Sequence, residues 1–247
     1  MNTAMDMRPP LSLLPLTLDR VVLAINGRRI IDGISITLDA GPRTIVVGPN
    51  GAGKSVLLRL CHGLIAPTSG TIRWAAPEPA QGPRRQAMVF QRPVLLRRTT
   101  LANVVHALAI AGLSRAQCKL RGLEALRKVG LERLARRPAR MLSGEEQQRL
   151  ALARAWALSP EILFLDEPTA SLDPGATHEI ETIISAMHAQ GTKIVMVTHN
   201  LGQARRLGDE ILFMHQGRVA ERAPTDRFFK YPASREAAQF LEGELPW

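Results

Sequence analysis

Cysteine is nearly absent, with Cys61 and Cys118 the only two among 247 residues. Neither sits in a metal-ligand spacing, so a disulfide framework and a zinc-type site are excluded, and a reducing, cytosolic setting is the default. Long apolar runs are missing as well. No segment approaches the ~20 apolar residues needed to span a bilayer. The longest candidate, Leu101 to Leu113, is interrupted by Asn103 and His106 and reads as a buried helix. The first 16 residues carry one Arg and a Pro-broken Leu run, a poor secretory signal. Any membrane role is therefore expected to be peripheral. No internal repeat or low-complexity tract is visible. Aromatics make up 4%, and none is interleaved with the arginine pairs at 84–85, 97–98, 136–137 and 205–206. This favours a solvated basic face near lipid headgroups, and no nucleic-acid partner is expected.

What is present is ordinary for a globular chain: 45% hydrophobic and 22% charged residues, enough for one mid-sized α/β domain with appended pieces. Lys and Arg total 32 against 22 Asp and Glu, a net charge of +10, which points to a polyanionic partner such as a nucleotide, nucleic acid or anionic lipid. Leu16 to Leu38 alternates apolar and polar residues around Asn26-Gly27, predicting an antiparallel hairpin. Thr44 to Val47, Ile162 to Leu165 and Ile194 to Thr198 are short apolar runs separated by helical stretches, as in a parallel sheet covered on both faces. The 50 residues from Arg92 to Met141 are mostly helical in character and rich in Arg; they read as an inserted helical subdomain. A strand at Ile211 to Met214, a turn at Gln216-Gly217 and a short strand at Arg218 to Ala220 close the core. The tail from Pro224 carries Phe228, Phe229 and Tyr231, then an amphipathic piece to Trp247, and its residues assign it no role.

Gly48-Pro49-Asn50-Gly51-Ala52-Gly53-Lys54-Ser55 has the P-loop spacing, with a strand before it and an apolar helix after it. Small residues let backbone N–H groups converge on phosphate oxygens, and the helix N-terminus adds a favourable dipole. Lys54 would neutralise the β- and γ-phosphates, and the Ser55 hydroxyl would ligate Mg²⁺. Asp166 and Glu167 end the run from Ile162, over the crevice where ligands bind in such sheets. Asp166 suits the Mg²⁺ shell, and Glu167 suits accepting a proton from, or orienting, the attacking water. His199 ends a third run and can donate to an anionic oxygen. Ser143 and Glu146 form an S-x-x-E capping box, and Asp173-Pro174 reads as an N-cap followed by a first-turn Pro.

Leu142-Ser143-Gly144-Glu145-Glu146-Gln147-Gln148-Arg149-Leu150, taken with the P-loop, Asp166-Glu167-Pro168, Ser171-Leu172-Asp173 and His199, resembles the ATP-binding subunits of ABC transporters. The match runs from about Leu16 to Ala223. The implied fold is α/β: a P-loop NTPase core with a mostly parallel sheet, an N-terminal antiparallel β subdomain and an inserted α-helical subdomain. Implied boundaries are 1–15 for an extension, 16–223 for the ATP-binding domain with its helical part at about 92–158, and 224–247 for a tail. The resemblance implies ATP and Mg²⁺ as cofactors and a head-to-tail dimer in which Ser143, Gly144 and Glu145 of one subunit cap ATP held by another. It further implies Glu167 as catalytic base, His199 as switch histidine, Gln91 as sensor of Mg²⁺ and water, and Asp173 as the residue communicating across the dimer. Arg92 to Leu113 then matches the surface that receives transmembrane permease subunits, placing the chain on the cytoplasmic side of a bacterial membrane.

Two departures stand out. Glu145 occupies the position of the family's usual second glycine. If it faces the γ-phosphate, like charges about 4 Å apart cost from ~1 kcal/mol in water to ~4 at an effective dielectric near 20, so slow turnover relative to Glu145→Gly is expected. If it points outward, it helps the helix dipole. Ile25 stands where the family stacks an aromatic on adenine, so base selectivity is expected to be loose. Phe90 to Arg98 and Val197 to Arg206 look like bacterial oxyanion importers of the tungstate, molybdate and phosphate type, with tungstate favoured; a separate solute-binding protein would then be an indirect partner. The alternatives are a nucleic-acid-acting ATPase on the same core, for which the 50-residue interval leaves no room for long heptad helices, and a nucleotide-binding regulator with little turnover.

Overall fold

The computed structural model describes residues 12–77 and 84–243. Most of the expected extension and the last four residues of the tail lie outside the described residues. Strands β1 (Leu16–Ile25) and β2 (Arg28–Leu38) form the expected hairpin. Asn26 at φ 50° and Gly27 at φ 78° supply the left-handed pair that a tight two-residue turn demands. After β3 (Thr44–Val47) and α1 (Lys54–His62), the chain returns with β4 (Ser69–Trp74) on the free edge of β1. The resulting antiparallel sheet is ordered β2-β1-β4.

Strand β5 (Gln86–Val89) then leads into the helical insert: α2 (Thr100–Ile110), α3 (Arg115–Lys128) and α4 (Gly144–Ala157). Each starts on a side-chain cap, from Thr99, Ser114 and Ser143, and the last two close reciprocal capping boxes with Gln117 and Glu146. The expected buried helix over Leu101 to Leu113 is α2, but only one of its faces is sealed: Asn103, Val104 and Leu108 are buried while Ile110 is 66% exposed. The remaining elements are β6 (Ile162–Asp166), α5 (Pro174–Ala189), β7 (Lys193–Val197), α6 (Leu201–Leu207), β8 (Glu210–His215), β9 (Arg218–Pro224), α7 (Thr225–Lys230) and α8 (Arg235–Leu241). The last strand runs farther than Ala220 because it pairs antiparallel with β8 as far as Pro224.

The second sheet is ordered β5-β6-β7-β3-β8-β9 and is parallel except for its last pair. Its central strands are apolar on both faces. Val46, Phe164, Val195 and Leu212 pack toward α1 and the antiparallel sheet. Their neighbours Ile45, Leu163, Ile194 and Phe213 pack toward α4, α5 and the C-terminal helices. A strand's period of two sends successive side chains to opposite faces, so a parallel sheet sandwiched between two layers reads as unbroken apolar runs.

The C-terminal segment belongs to this core. Phe228 and Phe240 are both buried, with ring centroids 5.9 and 5.3 Å from that of Phe213. Glu221 takes the backbone N–H groups of Ala233 and Ser234 at 2.9 Å, which pins the start of α8 to β9. Phe228→Ala should therefore cost about 3 to 5 kcal/mol. Equilibrium urea unfolding checks this, since a loosely attached tail would register under about 0.5 kcal/mol.

Candidate functional site

In a parallel sheet all strands finish at one edge, and here that edge carries the Gly48–Ser55 loop, Gln91, Asp166, Glu167 and His199, whereas Ile25, Ser143, Gly144, Glu145 and Asp173 lie on other elements. The register aligns Val46 with Val197, Asp166 with Val197, and Val89 with Leu165. The ends of β3, β7, β6 and β5 therefore lie side by side, and the chain leaves them as the Gly48–Ser55 loop, His199, Asp166-Glu167 and Gln91. Gln91 is exposed, two residues past β5.

The loop from β3 to α1 is shaped by glycine. Gly48 has φ +146°, and a Cβ there would stand 2.0 Å from the Met214 carbonyl oxygen. Gly53 has φ +96° and would meet the Ile30 oxygen at 2.9 Å. Within this cradle Lys54 is buried, and its Nζ donates to the Gly48 and Pro49 carbonyls at 2.7 and 2.9 Å. Burial lowers the Lys54 pKa, opposed by the negative charges of Glu167 and Asp166. The ammonium is folded onto its own loop, beside the N-terminus of α1, where backbone donors and dipole favour an anion.

Ser55 Oγ donates to Asp166 Oδ1 at 2.6 Å. Burial raises the Asp166 pKa, and the Ser55 hydrogen bond and nearby Arg59 oppose it. The Arg59 guanidinium stands 4.0 Å from Asp166 Oδ2. Among the described residues no group of three or more His, Cys, Asp and Glu is placed to hold a metal. A hydroxyl beside a carboxylate instead suits Mg²⁺, which takes few protein oxygens and completes its shell with water and substrate phosphate. Ser55 and Asp166 fit that ion, and exposed Gln91 lies on the same edge.

Glu167 has a left-handed backbone, φ 48°, a conformation that costs a non-glycine residue about 1 to 3 kcal/mol and clusters at functional sites. His199 Nδ1 donates to Glu167 Oε2 at 3.2 Å. A cleft of about 400 Å³ opens beside the pair, lined also by Thr169, Thr198, Asn200 and Arg206. A carboxylate held by an imidazole over an open cleft is equipped to orient a water.

The signature segment opens α4, and its Gln148 Nε2 donates to the Phe90 carbonyl just past β5 at 3.5 Å. Ser143 caps α4, and Gly144 has open space where a Cβ would go. Of the two dispositions expected for Glu145, neither describes it fully: its carboxylate turns back along the helix, Oε1 2.8 Å from Arg149 Nη2. Arg149 also reaches Glu179 of α5 at 3.2 Å. Asp173 spends one carboxylate oxygen capping α5, accepting from the Ala176 N–H at 2.9 Å. Ile25 ends β1 and is 54% exposed. Sequence reasoning missed Arg59 and Arg149, although both were within reach: Arg59 follows Ser55, and Arg149 follows Glu145, at the four-residue spacing of one helix face.

Comparisons with known proteins give the family and the fold. The ABC transporter family profile matches residues 31–170. The chain is 37% identical over 215 residues to the tungstate uptake system ATP-binding protein of Peptoclostridium acidaminophilum, covering 87% of this chain and 99% of that one. It is 36% identical over 235 residues to the methionine import ATP-binding protein of Caulobacter vibrioides, covering 90% and 71%. A solved structure of an ATP-binding subunit of an ABC transporter superposes with a TM-score of 0.79 at 27% identity, covering 93% of this chain and 99% of that one.

The cradle geometry makes a sharp prediction. Gly48→Ala should abolish nucleotide binding, because its Cβ meets backbone rather than a movable side chain. Gly51, at φ +78° with open space around it, should tolerate alanine at about 1 to 2 kcal/mol of stability while still binding. Titration with a fluorescent ATP analogue, alongside thermal unfolding, separates the two.

Proposed function

This chain belongs to the ABC transporter family, and from that premise we propose that it is the ATP-hydrolysing subunit of an importer for an oxyanion, tungstate first and molybdate or phosphate next. The observation that carries the catalytic reading is the convergence, on one sheet edge, of the Ser55–Asp166 and Glu167–His199 pairs beside the Lys54 loop.

In this reading the Gly48–Ser55 loop holds the ATP phosphates, with Pro49, Asn50, Gly51, Ala52 and Gly53 offering backbone and Lys54 exchanging its carbonyl partners for phosphate oxygens. Ser55, Asp166 and Gln91 would hold Mg²⁺, which would supply neutralisation of phosphate charge. Glu167 directs water in line at the γ-phosphorus, and His199 fixes the Glu167 carboxylate and contacts the γ-phosphate. Ser143, Gly144 and Glu145 of a second subunit close over the nucleotide, and Asp173 lies at that contact. The hydrogen bonds of Ser143 and the ion pair of Glu145 stay within α4, where Glu146 closes the capping box and Arg149 holds Glu145. Ile25 packs against the base. Gln91 passes closure to the α2 region and on to transmembrane permease subunits, which a solute-binding protein supplies. Among the described residues no helix is long and apolar enough to cross a membrane, in keeping with peripheral attachment at the cytoplasmic face.

Oxyanion cargo is favoured by the tungstate relative and by the Phe90 to Arg98 and Val197 to Arg206 stretches. Cargo does not touch this subunit, so purification of the chain with its membrane and solute-binding partners, followed by ligand titration, decides it. Saturable tungstate binding is the expected result, and methionine binding without oxyanion binding would refute it.

Two measurements address the chemistry. Glu167→Gln should abolish ATP turnover and accumulate an ATP-loaded dimer on size exclusion; a variant that stays monomeric with ATP or hydrolyses at full rate would defeat the assignment. Arg149 offsets the Glu145 charge, so Arg149→Ala should slow turnover, with part of the loss recovered when Glu145→Gly is added. Glu145→Gly alone should run faster than the unmodified chain. Equal steady-state rates in all four proteins would remove Glu145 from the account.

A further inference from the structure

A buried polar cluster beneath the site has no part in the chemistry described so far. Gln203, on α6, is fully buried. Its Nε2 lies 3.0 Å from Thr169 Oγ1 and 3.1 Å from Glu181 Oε1, and its Oε1 is 3.3 Å from the same Thr169 hydroxyl. Glu181, on α5, is nearly sealed from solvent and receives Arg206 through Nη2 at 2.7 Å and Nε at 3.3 Å. Three segments thus meet at one amide: the loop after Glu167, the middle of α5, and the helix that follows His199.

We propose that Gln203 and Thr169 form a clamp that sets the separation of Glu167 and His199, which makes both of them positioning residues for ATP turnover. The inference rests on the reading of Glu167 and His199 as the catalytic pair. Thr169 follows Glu167 by two residues. Because Glu167 has a left-handed backbone, local preference does not hold the loop in place, and its backbone ties include Glu167 N to the Val197 carbonyl at 3.0 Å, Ala170 N to the Glu167 carbonyl at 3.3 Å and Leu172 N to the Thr169 carbonyl at 3.1 Å; the first of these alone reaches a neighbouring strand.

On the other side, Asn200 directly follows His199 and caps α6 by accepting from the Gln203 N–H at 2.9 Å. The Gln203 backbone is therefore fixed relative to His199, while its side chain is fixed to Thr169. Moving either loop separates the amide from a hydroxyl that nothing else in the buried cluster replaces, and a buried polar group left unpaired is costly. An amide suits this junction because it donates to the Glu181 carboxylate without adding a second negative charge.

The test is steady-state ATP hydrolysis by the full chain carrying Thr169→Val, Thr169→Ser, Gln203→Leu or the Thr169→Val/Gln203→Leu pair, with Glu167→Gln as reference. Loss of the clamp displaces the pair by a fraction of an ångström, so kcat should fall about tenfold or more, with KM for ATP close to that of the unmodified chain and a melting temperature lowered by a few degrees. Thr169→Ser should recover most of the rate lost in Thr169→Val. The double variant should be no slower than its slower parent, because both changes break the same link.

Unchanged kcat in Thr169→Val and Gln203→Leu while Glu167→Gln is inactive would overturn the clamp and leave the catalytic reading standing. A loss confined to KM, equal rates for the Val and Ser variants, or additive losses in the double variant would overturn it too. Full turnover in Glu167→Gln would instead bring down the catalytic reading itself. Should Gln203→Leu fail to fold, the Thr169→Val and Thr169→Ser comparison decides alone.

Discussion

The parallel register of β5, β6, β7 and β3 is the constraint on which the rest of this molecule depends. It aligns Val89 with Leu165, and Asp166 with Val197, so four chain exits with different chemistry emerge on one edge. A slip of one residue would exchange every inward side chain for an outward one. Because both faces of these strands are apolar and buried, such a slip leaves hydrophobicity unchanged but misplaces Asp166 and Glu167 relative to the phosphate loop. Hydrophobic pattern alone does not fix this register. The two packed layers fix it, through the α1 contacts on one face and the α4 and α5 contacts on the other.

The tail follows the same logic at the far side of the sheet. Strand β9 is the one antiparallel member, and it gives Glu221 a position from which to hold the start of α8. Phe228 and Phe240 then cover Phe213 of β8, next to the strand that carries the phosphate loop. The Gly48 cradle is walled by the Met214 carbonyl, one residue past Phe213. Packing around α7 and α8 therefore bears on the loop through a rigid strand rather than through any direct contact with it.

Much of this was legible in the residues, and the exceptions have physical reasons. The Asn26-Gly27 hairpin, the three apolar core strands, the capping box at Ser143 and the cap at Asp173 are local signals, each set by a few neighbouring residues. Strand β5 was not foreseen as a strand: Gln86-Ala87-Met88-Val89 lacks a β-branched run and is strand only because β6 offers it an edge. The amphipathic character of α2 was hidden because Leu, Val, Ala and Ile occur all around it, and only packing distinguishes buried Leu108 from exposed Ile110. The tail was opaque for a similar reason, since its phenylalanines find their partner on a distant strand. In the candidate site, residue types and spacing singled out Lys54, Ser55, Asp166, Glu167 and His199, which the structure brings to one sheet edge, whereas side-chain direction, as for Glu145, came only from coordinates.

One feature of the charges bears on how such a site binds a polyanion without first collapsing. Each ionic group already has an internal partner: Lys54 has the carbonyls of its own loop, Asp166 has Ser55, Glu167 has His199, and Glu145 has Arg149. Burial lowers the Lys54 pKa against the charges of Glu167 and Asp166, and raises that of Asp166 against the Ser55 hydrogen bond and Arg59. Under the proposed reading these contacts hold the groups near the geometry needed, so that a phosphate would replace partners rather than recruit free side chains, with less ordering on binding. The exchange is favourable only where the incoming group is the stronger partner. A triphosphate meets that condition at Lys54, since a charged acceptor outranks a neutral carbonyl. It fails to do so at Glu145, where a second negative charge offers nothing to the carboxylate, and Arg149 therefore has reason to stay where it is when nucleotide arrives.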